Sequence, residues 1–378
     1  MDIQLPNLPV VFLASLLASA ALATLLVLKQ KLGLTIGMDG TEGVQKLHRF
    51  PVPRLGGVAV SAALVFGWIL LGRPPDLGLV LLAALPAWIW GLSEDLTRSR
   101  SPLSRLLATL ASGLLLAQLS GLPITRLDLP LDPFIPALGW LLLTSFAVAG
   151  LSNAINIVDG VNGLASFTAA AMFACLALLA HDHGDMASLR MALLGCAAAL
   201  GFFLVNWPHG RLFLGDGGAY LLGFWLGATA ISLVHHNADI TAWFALALFA
   251  YPVTETVFSW YRRTMHHGVS AAVPDRLHLH SLVYARRSRW RRLALLPWIT
   301  PNSATLIRLL PMVLIPPAGA YFAAGSQTLS VSSTMLTVAL YLAWFARLVK
   351  LRKGRRPIRP HHDTTASAQP QGVPSRIR

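Results

Sequence analysis

The chain of 378 residues is 55% hydrophobic and only 12% charged, about half the roughly 25% charge of an ordinary soluble domain. Its formal net charge of +14 would suit nucleic acid, but the basic residues lie in short loops between apolar runs and in a tail. That is the arrangement of a membrane-anchored chain, and nucleic-acid binding is set aside. Cys175 and Cys196 both lie inside apolar runs and read as small buried hydrophobes rather than a disulfide or metal pair.

The first apolar run, PVVFLASLLASAALATLLVL at residues 9–28, exceeds the roughly 18 apolar residues that mark a transmembrane helix. No Lys or Arg precedes it, while Lys29 and Lys31 follow at once. A cleaved signal would show the reverse order, so the run reads as a retained span with its N-terminus outside. Apolar stretches bounded by charge, Gly or Pro then give eleven spans near 8–28, 56–72, 77–92, 106–120, 137–152, 163–180, 187–205, 219–235, 240–258, 309–324 and 330–348. The stretch 293–308 reads as half a span or an interfacial segment. The expected fold is an all-α polytopic membrane protein of about 10–11 transmembrane helices. One catalytic domain covers 1–350, and the basic, Ser/Thr/Pro/Gln-rich tail 351–378 is too poor in apolar residues to fold.

Charge tests this layout independently. Eleven crossings place residues 29–55, 93–105, 153–162, 206–218, 259–308 and the tail from Arg347 on one side, and those segments hold all but Arg73, Arg126 and Arg190 of the 30 Lys and Arg residues. That side is the cytoplasm by the positive-inside rule.

Five clusters that packing does not require lie in these inward segments: KLHRFPVPRLGG (46–57), GLSEDLTRSRSP (91–102), NAINIVDGVNGLA (153–165), FLGDGGAY (213–220) and PDRLHLHSLVYARR (274–287). Ionisable groups at span ends are functional candidates by default. Glu94 and Asp95 pair two hard oxygen ligands beside Arg98, Arg100 and Arg105, a set suited to a Mg²⁺-bound phosphate or to a solvated charge run. Asn153, Asn156 and Asp159, spaced by three, share an arc of about 120° on a helix, with a helix cap as the plain reading of Asp159. Asp216 in LGDGG either presents its carboxylate to a metal, sits in a loop that holds a phosphate, or belongs to a simple turn. His278 and His280 lie in a polybasic loop without Cys or an HExxH pattern, which favours phosphate contact over transition-metal ligation. The outward acids and histidines, including HDHGD at 181–185 and the His235–His236 pair, form no comparable cluster and are read as solvated loop groups. Carboxylates, cations and glycine turns on the cytoplasmic face point to phosphoryl transfer between a soluble nucleotide-linked donor and a lipid-borne acceptor.

These clusters, in this order over about residues 46–290 and with YPVTETVFSWYRR before the last, resemble the polyprenyl-phosphate N-acetylhexosamine-1-phosphate transferases. That is the glycosyltransferase family 4 group, and the wording is closest to its polysaccharide-initiating branch. The resemblance implies Mg²⁺-dependent (alternatively Mn²⁺-dependent) transfer of a sugar 1-phosphate from a UDP-N-acetylhexosamine to undecaprenyl phosphate at the lipid bilayer, with release of UMP. A homodimer is compatible with it. It assigns Asp95, Glu94 and Asp216 to catalysis and Asp159 with Asp216 to the metal. It gives substrate binding to Lys46, His48, Arg54, Asn156, His278 and His280, and Asn153, Asn162, Glu255 and Asp275, polar groups in or beside the same clusters, are taken as further substrate-binding candidates. The chain departs from the family pattern at Glu94, where Asp is common, at Asn162, where many members carry a second Asp, and at Ser281, where a further His is usual.

The expected mechanism is direct attack of the lipid phosphate on the donor's β-phosphorus with Asp95 helping to orient or deprotonate the acceptor. A covalent phosphosugar on Asp216 is the alternative. The rival functions are the phospho-MurNAc-pentapeptide transferase branch and a transporter of anionic glycolipid, the latter at odds with mid-span positions that are almost wholly apolar.

Overall fold

The computed structural model describes residues 7–33, 37–39, 51–266, 277–286 and 299–353. Lys46, His48, Asp275, residues 293–298 of the stretch 293–308 and the tail beyond 353 lie outside the described residues, while Ser303 onward belongs to α12. In chain order the helices are α1 (Leu8–Lys31), α2 (Gly56–Leu70), α3 (Pro75–Thr97), α4 (Pro102–Leu119), α5 (Ala137–Val158), α6 (Leu164–Asp182) and α7 (Met186–Asn206). They continue with α8 (Gly215–His236), α9 (Phe244–Leu248), α10 (Ala250–Tyr261), α11 (Leu279–Ala285), α12 (Ser303–Ala323) and α13 (Gln327–Lys353). A two-residue antiparallel pairing, Met38–Asp39 with Val52–Pro53, is the sole sheet among the described residues.

The chain is a polytopic all-α membrane protein. Nine of the described helices are long and apolar enough to cross a bilayer. The two other expected spans take shorter forms. One is the 15-residue α2. The other, expected over 240–258, is divided at Phe249 into α9 and α10. Pro252 accounts for the break, because it has no N–H to donate to the carbonyl one turn back and its ring crowds that carbonyl.

Local chemistry starts several helices. Pro75 and Pro102 occupy first-turn positions, where the missing N–H costs nothing. Ser101 and Asp185 accept bonds from Ser104 N and Ser188 N, closing α4 and α7. α8 has no such local cap.

α8 is the axis of the molecule. Its apolar stretch is 89% buried, and α2, α3, α4, α5, α6 and α7 all pack against it. Glycines set the spacing at its start: a Cβ on Gly57 would stand 2.5 Å from Gly218 N, and one on Gly91 2.6 Å from Gly217 Cα. The backbones of α2 and α3 therefore lie almost on that of α8. A second apolar cluster, with Tyr251, Leu279, Leu309 and Tyr341, seats α11 beside α12 and α13. Large side chains such as Leu13, Phe146 and Phe322 point outward, which costs little against lipid tails.

Candidate active site

The site forms where PRLGG and FLGDGG run side by side. Phe213 N–H donates to Pro53 O, Gly56 N–H to Phe213 O and Gly57 N–H to Leu214 O, each at 2.9 Å. Gly215, with φ +75°, then turns the chain into α8, a left-handed conformation that favours glycine. A Cβ there would also collide with the Asp95 carboxylate.

Asp95 supplies the cap that α8 lacks. Its Oδ1 accepts from Asp216 N–H and its Oδ2 from Gly217 N–H, both at 2.9 Å, and Arg54 Nε lies 3.2 Å from Oδ1. Its side chain is 1% exposed. Two of the N–H groups of GDGG are thus already taken by a side chain of α3. Asp95, expected to orient or deprotonate the acceptor, is committed to the start of α8.

Asp216 is the hub. Its Oδ1 accepts from Arg54 Nη2 at 2.7 Å and from Asn156 Nδ2 at 3.1 Å, while Oδ2 pairs with Arg105. Asp159 caps α5 nearby. Burial pushes its carboxyl up to about 7, opposed by Arg54 and reinforced by Asp216. Six side chains, Arg54, Asp95, Arg105, Asn156, Asp159 and Asp216, from the ends of four helices and one loop, thus share one electrostatic centre. Arg105 appeared in the sequence only as one of a basic run. Its place at the start of α4, facing α8, makes it a direct partner of Asp216.

Other candidates stand elsewhere. Glu94 takes the Arg100 N–H at 2.7 Å and so closes the turn between α3 and α4. Asn153 bonds Thr109 and the Ala149 carbonyl rather than the carboxylates. Asn162 joins Asn302 and Ser303 at the head of α12. Asn206, which nothing in the sequence singled out, accepts from Gly163 N–H and donates to Leu212 O, tying the DGVNG turn to the loop before α8.

Beside this centre lies α11. Glu255 accepts from His278 Nδ1 at 3.0 Å, and the His278 ring stacks on His280 at 5.4 Å. His280 presses on Gly160 so closely that no Cβ could be accommodated there, and Gly160 directly follows Asp159.

Among the described residues no group of three or more His, Cys, Asp or Glu side chains forms a metal cage. Mg²⁺ needs less, because it is held by one or two carboxylates and completes its shell with water and phosphate oxygens. Asp159 and Asp216, with the amide of Asn156, are hard oxygen donors of that kind, and Asp216 is at present neutralised by two arginines. The residues fit such a cation.

Residues 77–234, which carry Glu94, Asp95, Arg105, Asn156, Asp159 and Asp216, match the glycosyl transferase family 4 pattern. Over this stretch the chain is similar to glycosyl transferase family 4. Relatives include a probable undecaprenyl-phosphate N-acetylglucosaminyl 1-phosphate transferase of Bacillus subtilis strain 168, 24% identical over 75% of this chain and 79% of its own. An undecaprenyl-phosphate alpha-N-acetylglucosaminyl 1-phosphate transferase of Salmonella typhi is 29% identical over 68% of this chain and 71% of its own. A decaprenyl-phosphate N-acetylglucosaminephosphotransferase of Mycolicibacterium smegmatis is 28% identical over 67% and 70%.

Proposed function

We propose that this protein transfers an N-acetylhexosamine 1-phosphate from a UDP-sugar to undecaprenyl phosphate, releasing UMP, as the first membrane step of a lipid-linked glycan. The observation that carries the reading is the Asp216 hub: Asn156, Arg54 and Arg105 converge on one carboxylate, with Asp159 beside it. The names of the relatives support undecaprenyl phosphate as acceptor and make UDP-N-acetylglucosamine the first donor to test. The charge bias of the loops supports a cytoplasmic site in the bacterial inner membrane, where such donors are found, with the N-terminus outside.

A cavity of about 530 Å³ supports a lipid acceptor. It runs along α5 from Leu143 to Ala154 and is closed by α8, α9 and α10. Its walls are almost wholly apolar, and its inner end, at Ala154 and Thr256, lies within two residues of Asn156 and Glu255. A prenyl chain seated there would bring its phosphate to the hub.

In the reaction an oxygen of the acceptor phosphate bonds to the donor's β-phosphorus. The bond from that phosphorus to the bridging oxygen breaks, and UMP leaves with that oxygen. A bound Mg²⁺ supplies charge neutralisation of the diphosphate. Asp159 and Asp216 would hold it. Arg54 and Arg105 supply further fixed positive charge, and Asp95 keeps Asp216 and Arg54 in register.

The test is UMP release by purified protein with undecaprenyl phosphate, Mg²⁺ and a panel of UDP-N-acetylhexosamines. Release with one donor, dependent on the lipid phosphate, is expected. No UMP from any donor, with binding of an intact lipid-linked glycan, would overturn the reading.

A further inference from the structure

Glu255 is buried in α10, 1% exposed, and its carboxylate faces α11. The N–H of Leu279, the first residue of α11, lies 3.3 and 3.2 Å from the two oxygens. His278, the N-cap residue of α11, makes no capping bond with its own side chain. Glu255 therefore supplies from another helix the acceptor that this start lacks. The same carboxylate takes Nδ1 of His278 at 3.0 Å. Tyr251 and Tyr341, both fully buried, interact with it electrostatically, as does the His278 ring.

We propose that Glu255 is a positioning residue that acts through His278 rather than a substrate contact; the proposal rests on the transferase reading above. A carboxylate cannot donate, so the proton of this contact belongs to His278 Nδ1 and the imidazole is fixed in one tautomer. Nε2 is left as the working nitrogen. It is an acceptor in the neutral ring and a donor to a phosphate oxygen in the protonated one. Through Leu279 N–H the carboxylate also sets the start of α11, and so places the stacked His278 and His280 against Gly160 beside Asp159. A side chain closed off at 1% exposure between α10 and α11 has no face left for a sugar nucleotide.

Glu255→Gln separates the two tasks. The amide oxygen still accepts from Leu279 N–H, but its NH₂ must face Nδ1, which reverses the tautomer. The full-length protein, labelled with [¹⁵N]histidine and with His278 assigned by loss of its signal in His278→Asn, is examined by solid-state NMR at pH 9, well above the usual imidazole pKa of about 6.5. Wild type is expected to show protonated Nδ1 and bare Nε2 at His278, and Glu255→Gln the opposite. In parallel kcat should fall about 10–100-fold, the range found when the group that orients a metal-bound imidazole is removed. KM for the UDP-sugar should stay within about 2-fold, and Glu255→Asp should recover part of the rate. An unchanged tautomer in Glu255→Gln, or a rise in KM at constant kcat, overturns the proposal. Should wild type release no UMP at all, the transferase reading fails, while the NMR arm still decides whether Glu255 sets the tautomer.

Discussion

Replacing Asp95 by Asn tests whether that residue anchors α8 or performs chemistry. The carboxylate accepts two backbone N–H bonds at 2.9 Å and meets Arg54 at 3.2 Å, with almost no solvent around it. Asn retains one acceptor oxygen but turns an NH₂ donor toward the second N–H, and it removes one carboxylate partner from Arg54. Hydrogen bonds to a charged group contribute about 1.5–3 kcal/mol each, and a buried N–H left without an acceptor costs about 1–3 kcal/mol. Because Arg54 keeps its bond to Asp216 at 2.7 Å, the net loss is about 2–4 kcal/mol. At about 2 °C per kcal/mol this lowers Tm by about 4–8 °C in detergent. Thermal unfolding of the purified variant, read beside UMP release, is the assay. A variant that melts with wild type refutes the anchoring role, and if it is also inactive it returns Asp95 to the chemistry.

Asp216→Asn and Asp159→Asn should each cut UMP release by at least about 100-fold, as loss of a charge-stabilising group does, with normal recovery in the membrane fraction; near-normal rates remove the residue from the site. Chelation by EDTA should abolish turnover, and Mg²⁺ or Mn²⁺ should restore it. With its carboxyl raised to about 7 from 3.8, Asp159 is ionised only as pH rises through about 7. At limiting Mg²⁺ the rate should climb across that range, and the acid limb should move lower as Mg²⁺ is increased, because the cation favours the carboxylate. The same shift means that the stability contributed by Asp159 is greatest below about 3.8 and is lost as pH rises to about 7, so Asp159→Asn should melt above wild type at pH 8. Gly150→Phe, which fills the apolar cavity from α5, should raise KM for the lipid acceptor several-fold with KM for the donor unchanged.

Much of the fold was legible because a bilayer imposes length and composition on every span. Apolar runs located the helices with ends displaced by up to about six residues, while the break at Phe249 inside the run 240–258 was not read from it although Pro252 follows closely. The candidate residues were legible as polar groups that membrane packing does not require. Their roles were less so. Glu94 and Asp95 are neighbours in sequence, but a helix turns about 100° per residue. Asp95 therefore faces α8, and Glu94 the turn at Arg100. Asn153 and Asn156 share a face of α5 but differ in height by about 4.5 Å, enough for one to meet Thr109 and the other Asp216. Asn206 gave no signal, since a single Asn ending an apolar run looks like any helix terminus.

By itself, then, the sequence determined the membrane architecture, the sidedness of its charge and the set of residues available for chemistry, because hydrophobic length, the Lys and Arg bias and motif order are properties of the chain. Tertiary structure alone decided which carboxylates hold backbone and which face one another. Those pairings depend on the rotation and depth at which separate helices meet, and glycines at Gly57, Gly91 and Gly217 bring them close enough for α8 to borrow its cap from α3.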